Sequence, residues 1–361
     1  MNRRKFLSIT AQMSCGSLIG AGLGGCGSTV RSSSATADAT DLAGKRVGIS
    51  SPHKVEILNE LYNDMRREAE RPENGLEVVV VDADNNAVKQ LSDIESFIAQ
   101  RYDGIFFLAL PSPGLDQLVA SAVSQGIVVF NHGACPITGV TQNVILDQHL
   151  SGANVGRFAG KWIHERHGGK AQVGIVFDAA DPWLRIRAQG LKDGLAEAAP
   201  NAEIVGEAQG HSIELGASGA ANLLQAHPEI KVLLSHADDP GFGCYTAATE
   251  AGRSDPDDFL LASCDGTRLV MDKVAEGGIY QATWSYLFPF SATACMRDMI
   301  RCLRGEKVSP TRVQVGRLVT RGNVGEIAEL IRDPQAPAVQ QIYADPTVMR
   351  YTDEVLRSPT V

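Results

Sequence analysis

Two hydrophobic periods alternate along this chain. Residues 76–81 form a short, mostly β-branched run, which Asp82-Ala83-Asp84-Asn85-Asn86 then breaks with turn and capping types. Val88, Leu91, Ile94, Phe97 and Ile98 follow at helical spacing. Asp103-Gly104 marks a turn, and residues 105–110 are a second apolar run. Runs without polar alternation suit strands buried on both faces of a parallel sheet. The pattern predicts a β-α-β unit, whose crossover is right-handed in nearly all cases.

The unit recurs. Before it, residues 45–50 read as a strand, and Val55, Leu58, Leu61, Met65 and Ala69 share a helix face. After it, Leu115, Leu118, Val119 and Ala122 mark a helix and residues 127–130 a strand ended by Asn131-His132-Gly133; residues 140–146 are extended. A second series opens with a helix face at Val155, Phe158, Ala159, Trp162 and Ile163. Strands are predicted at 172–177, 203–206, 230–235, 259–263 and 280–284, and helices at 183–198, 212–225, 240–251, 269–275 and 290–303. Residues 312–319 are extended, and the Pro-punctuated tail from Asp333 fits neither series. Two β-α series imply two doubly wound α/β lobes, whose strand ends face each other across a ligand cleft that closes on a hinge.

Asn2-Arg3-Arg4-Lys5-Phe6-Leu7 resembles a twin-arginine export motif, and Leu23-Gly24-Gly25-Cys26 resembles a lipobox. The weakly apolar stretch between them is too short and polar for a transmembrane helix, which needs about 20 apolar residues. The resemblance implies lipidation of Cys26; an ordinary cleaved signal with an incidental Cys26 is the alternative. Residues 26–44 are rich in Ser, Thr, Ala and Gly and read as a flexible tether. Removing residues 1–25 leaves 336 of the 361 and takes the formal charge from −9 to −12, since Arg3, Arg4 and Lys5 go without an acid. That acidity, with no basic patch, argues against nucleic acid as a partner. The seven cysteines show no metal-like spacing. Cys295 and Cys302 lie roughly 10 Å apart along one predicted helix, too far to bridge; free buried thiols and a disulfide between other pairs both stay open.

Four stretches, in this order behind an export signal, carry a family resemblance: residues 81–86 (Val-Asp-Ala-Asp-Asn-Asn), 185–191 (Arg-Ile-Arg-Ala-Gln-Gly-Leu), 222–230 (Asn-Leu-Leu-Gln-Ala-His-Pro-Glu-Ile) and 264–267 (Cys-Asp-Gly-Thr). From about 45 to 320 the chain resembles the type I periplasmic solute-binding proteins of the ribose-binding kind. The resemblance implies three crossings between lobes, near 145, 286 and 315. Lobe 1 is then 45–145 with 287–314, lobe 2 is 146–286 with 315–332, and 333–361 is a tail. It implies a monomer that captures a small solute, usually a sugar, for a membrane ABC permease, with no cofactor and no catalysis. Carried over position by position, the ligand set falls at Ser51, His53 and Lys54 in the first loop, where the family often has aromatics. It continues at Ala109, Asn131, His132, Trp183, Arg187, His211, Asp238, Asp265, Trp284 and Tyr286.

The chemistry of these types fits a polyol. A carboxylate accepts two hydroxyls and a guanidinium donates in a fixed fork, which suits Asp265 and Arg187; Trp183, Trp284 or Tyr286 would cover the C–H side of a ring. Each has a plainer alternative: a turn or cap for Asp265, a solvated helix residue for Arg187, core packing for the tryptophans. Asp238-Asp239 lacks the spacing of a cation loop. Arg187, Lys54 and the histidines leave an acidic solute open. A sensory receptor of the same fold is the second functional reading. A hydrolase would need a Gly-x-Ser-x-Gly elbow or a His-Glu-x-x-His helix, and neither occurs.

Overall fold

The computed structural model describes residues 42–110, 112–133, 136–314, 316–332 and 349–351. The signal, Cys26, Cys135 and most of the tail lie outside the described residues. Lobe 1 begins with β1 (Arg46–Ser51), α1 (Glu56–Ala69), β2 (Glu77–Asp82), α2 (Ala87–Ala99), β3 (Gly104–Phe107), α3 (Leu115–Ser124), β4 (Val128–Gly133) and β5 (Gln142–Leu146). Lobe 2 runs through α4 (Gln148–His167), β6 (Gln172–Phe177), α5 (Pro182–Ala198), β7 (Glu203–Gln209), α6 (Ile213–Ala226), β8 (Ile230–Ser235), α7 (Asp238–Glu250), β9 (Leu260–Asp265), α8 (Arg268–Glu276) and β10 (Tyr280–Ser285). The chain then shuttles through α9 (Phe288–Leu303), β11 (Thr311–Gln314), β12 (Arg317–Thr320), α10 (Val324–Arg332) and β13 (Met349–Tyr351).

The sheet orders are β13-β11-β5-β4-β3-β1-β2 and β12-β10-β9-β8-β6-β7. Both lobes therefore repeat one doubly wound order, 2-1-3-4-5, in parallel strands. Each sheet is extended by a strand from late in the chain: β11 joins β5 in parallel, and β12 joins β10 antiparallel. The backbone passes between sheets after Leu146, after Ser285 and between β11 and β12. One apolar cluster continues from Ile49 and Phe106 of lobe 1 through Trp284, Tyr286 and Phe288 to Val173 and Leu234 of lobe 2.

Many helices start just past a strand end with a side-chain cap. Asn86 Oδ1 accepts from Lys89 N, Asp147 Oδ1 from Leu150 N, Asp181 Oδ1 from Trp183 N, and Thr267 Oγ1 from Val270 N. This fixes the strand-end loops that face the cleft.

The α4–α5 pair is the tightest helix contact. A Cβ on Gly152 would lie 2.8 Å from Leu191 N, one on Gly156 2.7 Å from Leu195 N, and one on Gly194 2.8 Å from the Ala153 carbonyl carbon. Glycines at 152, 156 and 160 on α4, and at 190 and 194 on α5, let the two backbones touch.

The structure corrects several expectations. Leu42 is 1% exposed within the lobe 1 core, so the fold begins inside the stretch read as tether. α4 starts at Gln148, seven residues before its first apolar marker, because its early face packs through glycine. Residues 312–319 are two strands in two sheets. α10 and β13 were not anticipated, being short and set among prolines and charges. Of the two states left open for the cysteines, the free one holds for Cys244, Cys264 and Cys295, all buried thiols, and burial pushes Cys244 up to about 12.

Candidate functional site

Arg187 stands one helical turn after Trp183 on α5, so the two share a face. The residue is 5% exposed. Nε donates to Gln148 Oε1 at 2.7 Å, and Nη1 donates to the His236 carbonyl at 2.7 Å and to Asp265 Oδ1 at 2.9 Å. Its Cζ lies 5.4 Å from the Tyr286 ring centroid. Asp265 ends β9 with φ +125°, a strained conformation for a side-chain-bearing residue. Strain of that kind persists where the surroundings over-determine it, here by Arg187 on one side and Gly266, whose amide donates to Thr283 Oγ1, on the other. Trp183, one turn earlier on α5, is half-buried.

Across the cleft, Ser51 is buried and its hydroxyl donates to the His53 carbonyl at 2.9 Å. His53 and Lys54 stay open to solvent, and Lys54 lies 3.8 Å from Asp82. Desolvation lowers the His53 pKa, while Asp82 of lobe 1 and Asp181 of lobe 2 pull it back up. The imidazole therefore feels both lobes. Ala109 is half-buried next to Gln90, whose amide clasps the Leu108 carbonyl and the Leu110 N–H. On the lobe 2 rim His211 is exposed, near Asp178 and Gln209.

Five expected ligand residues are turned elsewhere. Asn131 is fully buried and donates to Asn143 Oδ1 at 2.9 Å. His132 is fully buried, stacked 5.9 Å from the Phe106 ring, with Nε2 within 3.5 Å of Gln314 Oε1. Asp238 is 1% exposed. Its Oδ1 accepts from Ser263 Oγ and Thr283 Oγ1, and its Oδ2 from the Thr267 amide and hydroxyl, so it ties β8, β9 and β10 together from inside. Trp284 is 6% exposed and packs on Gly316, where a Cβ would lie 2.5 Å from Trp284 Nε1. Tyr286 is buried at the hinge, its hydroxyl 2.8 Å from Ser151 Oγ and 3.2 Å from Gln148 Oε1. Gln148 and His236, which hold Arg187, were missed. His236 falls at a strand end in Ser235-His236-Ala237-Asp238, a position that could have flagged it; Gln148 carried no local signal.

Burial sets the protonation of this region. It pulls His236 down to about 3, helped by Arg187, and His132 down to about 4. Both stay neutral in the fold but protonate near 6.5 when unfolded. Their contribution is complete above pH 6.5 and is lost as pH falls toward 4 and 3, at about 1.4 kcal/mol per pH unit for each group. Asp238 acts oppositely: burial and the Asp265 charge push it up to about 7, so ionising it costs stability as pH rises from 4 to 7. The expected result is that urea unfolding of His132→Gln loses about 2 kcal/mol less than wild type between pH 6.5 and 5. Parallel pH profiles for the two proteins would refute a neutral buried His132.

Comparison with known proteins bears on the family and the fold. A model of the periplasmic binding protein domain matches residues 48–307. The ribose import binding protein of Bacillus subtilis is 26% identical over 203 residues, 56% of this chain and 63% of that protein, so the match spans less than two thirds of that relative. A xylitol-binding protein of Mycolicibacterium smegmatis is 25% identical over 322 residues, 88% of each chain. Among solved structures, an ABC transporter periplasmic solute binding protein from Actinobacillus succinogenes with bound D-allose superposes with TM-score 0.70 at 17% identity, covering 78% of this chain and 99% of that one. A Bacillus halodurans solute binding protein with bound myo-inositol gives TM-score 0.69 at 20% identity, covering 79% and 97%. At that identity the structures speak for the fold. With two doubly wound lobes joined by three crossings and the domain model matching most of its length, this chain belongs to the periplasmic binding protein family, of the type I ribose-binding-like kind.

Proposed function

We propose that this protein is the solute-binding component of an ABC importer and takes a neutral sugar or polyol into the cleft between its lobes. The observation that carries the reading is the Arg187–Asp265 pair at the lobe 2 strand ends, with Trp183 one turn before Arg187 on the same helix. Such a pair offers a donor fork and a carboxylate to adjacent hydroxyls, and the half-buried indole offers an apolar face. Pro52-His53 replaces the first-loop aromatics, so stacking falls to Trp183 of lobe 2. Closure of the lobes then presents a loaded shape to the permease. The protein works as a monomer outside the cytoplasm, exported by its twin-arginine-like signal and held to the membrane by a lipid on Cys26. The names of the relatives support the solute class, and the front-end motifs support the anchoring.

A thermal-shift screen against D-ribose, D-allose, xylitol and myo-inositol tests the solute class. A ligand bound only by the folded state adds RT ln(1 + [L]/Kd), about 2.7 kcal/mol at a hundredfold excess over Kd. A rise with at least one of these, absent in Asp265→Ala, is expected. Stabilisation by sugar phosphates alone would replace the neutral solute with an anionic one.

A further inference from the structure

The three crossings between lobes are not independent. Gln148 follows the first, Tyr286 lies in the second, and Gln314 ends β11 just before the third. One hydrogen-bonded chain joins all three and ends on the ligand pair. Gln148 Oε1 accepts from Arg187 Nε at 2.7 Å and lies 3.2 Å from the Tyr286 hydroxyl. The Gln314 amide donates to the Tyr286 carbonyl, and its Oε1 accepts from Ser291 Oγ of α9, with His132 Nε2 within 3.5 Å. Tyr286 is thus gripped by its side chain from lobe 2 and by its backbone from lobe 1. Gln148, Tyr286 and Gln314 are 8%, 1% and 2% exposed, so water is a poor substitute partner. Leu287, next in the chain, has φ +51°, a left-handed conformation that a leucine rarely takes. The strained backbone sits where the two grips meet, as expected of a hinge element that changes dihedral angle on closure.

We infer that Gln148 and Gln314 are positioning residues that lock the hinge in register with Arg187, so that occupancy of the cleft and the angle between lobes are coupled through Tyr286. This rests on the cleft reading above for its ligand, but the mechanical part does not. The two glutamines carry different requirements. At 148 only an acceptor is used toward Arg187 and Tyr286, so a carboxylate suffices. At 314 the amide both donates and accepts, so a carboxylate fails.

Amide hydrogen exchange on the ligand-free protein tests the lock. Gln148→Leu is expected to raise exchange roughly fivefold to tenfold in peptides covering 285–291 and 311–314, both remote in sequence from the substitution. Gln148→Glu should restore protection, whereas Gln314→Glu should disturb 285–291 as much as Gln314→Leu. Faster exchange confined to 147–152, or equal disturbance by Gln148→Glu and Gln148→Leu, would overturn the inference. If Gln148→Leu does not fold, Ser151→Ala, which removes the other partner of the Tyr286 hydroxyl, serves the same comparison. Titration of the same variants with D-ribose, D-allose, xylitol and myo-inositol separates the two claims. No binding by wild type would dismiss the solute class while the exchange pattern still decides the lock. With binding present, Gln148→Leu should weaken it by roughly tenfold and Gln148→Glu should leave it near wild type.

Discussion

Gly156→Val will destabilise this protein by roughly 3 kcal/mol or more, lowering its melting temperature by about 5–12 °C. The added Cβ would meet backbone on α5, 2.7 Å from Leu195 N, and backbone does not swing aside as a side chain does. The helices must separate, and separation uncovers the apolar surface of Val155, Ala159, Leu191 and Leu195, all buried. Gly278→Ala is the matched control, because nothing lies within 4 Å of its Cβ; it should melt with wild type. A Gly156→Val protein that also melts with wild type would show that α4 and α5 are not in backbone contact. Gly152 extends the point to the cleft, since the atoms its Cβ would strike include the Arg187 carbonyl. A substitution made for packing reasons there displaces Arg187, the residue proposed to grip the solute.

Arg187→Ala will weaken solute binding at least a hundredfold, about 3 kcal/mol. It removes a buried donor fork and leaves Asp265, Gln148 Oε1 and the His236 carbonyl facing each other without it. Arg187→Lys is the sharper case. An ammonium keeps the charge but has no planar fork, and it cannot satisfy Gln148, His236 and Asp265 in their present directions. A loss of roughly tenfold or more is expected, read by calorimetric titration with the ligand found in the screen. Wild-type affinity in Arg187→Lys would mean that charge alone is used and that the solute does not depend on the fork. Breaking a buried pair from one side is also costly to the fold, about 3–5 kcal/mol, so each variant needs its melting curve beside its isotherm.

Much of the architecture was legible because parallel strands buried on both faces leave unmistakable apolar runs, as at Ile230–Ser235 and Leu260–Asp265. Arg187 and Asp265 are marked by the family resemblance, Asp265 at the end of an apolar run and Arg187 inside the helix that follows another. The sequence could not tell which way a residue points once it is there. Successive strand residues face opposite sides, and β4 turns Asn131 toward Asn143 and His132 toward Phe106. One residue of parity separates a ligand contact from a core contact. Asp238 shows a second limit, since its partners Ser263, Thr267 and Thr283 come from three places in the chain. Gln148 and Gln314 show it most clearly, as neither has a neighbour in sequence that hints at Tyr286.

The late strands also bear on how the chain is made. Lobe 1 is not finished when its first five strands have emerged. Its covering helix α9 and its sixth strand β11 come only after all of β6 to β10. Arg297 of α9 pairs with Glu68 at 2.8 Å across 229 residues, and Lys45 reaches the Leu303 carbonyl across 258. At about 5–20 residues per second, the ribosome needs roughly 7–30 s to travel from the end of β5 to the start of α9. Throughout that interval the β5 edge and the apolar face under α9 are uncovered. A nascent chain of this topology carries that surface until the residues from Phe288 onward have emerged, so lobe 1 closes its core only after lobe 2 has been made.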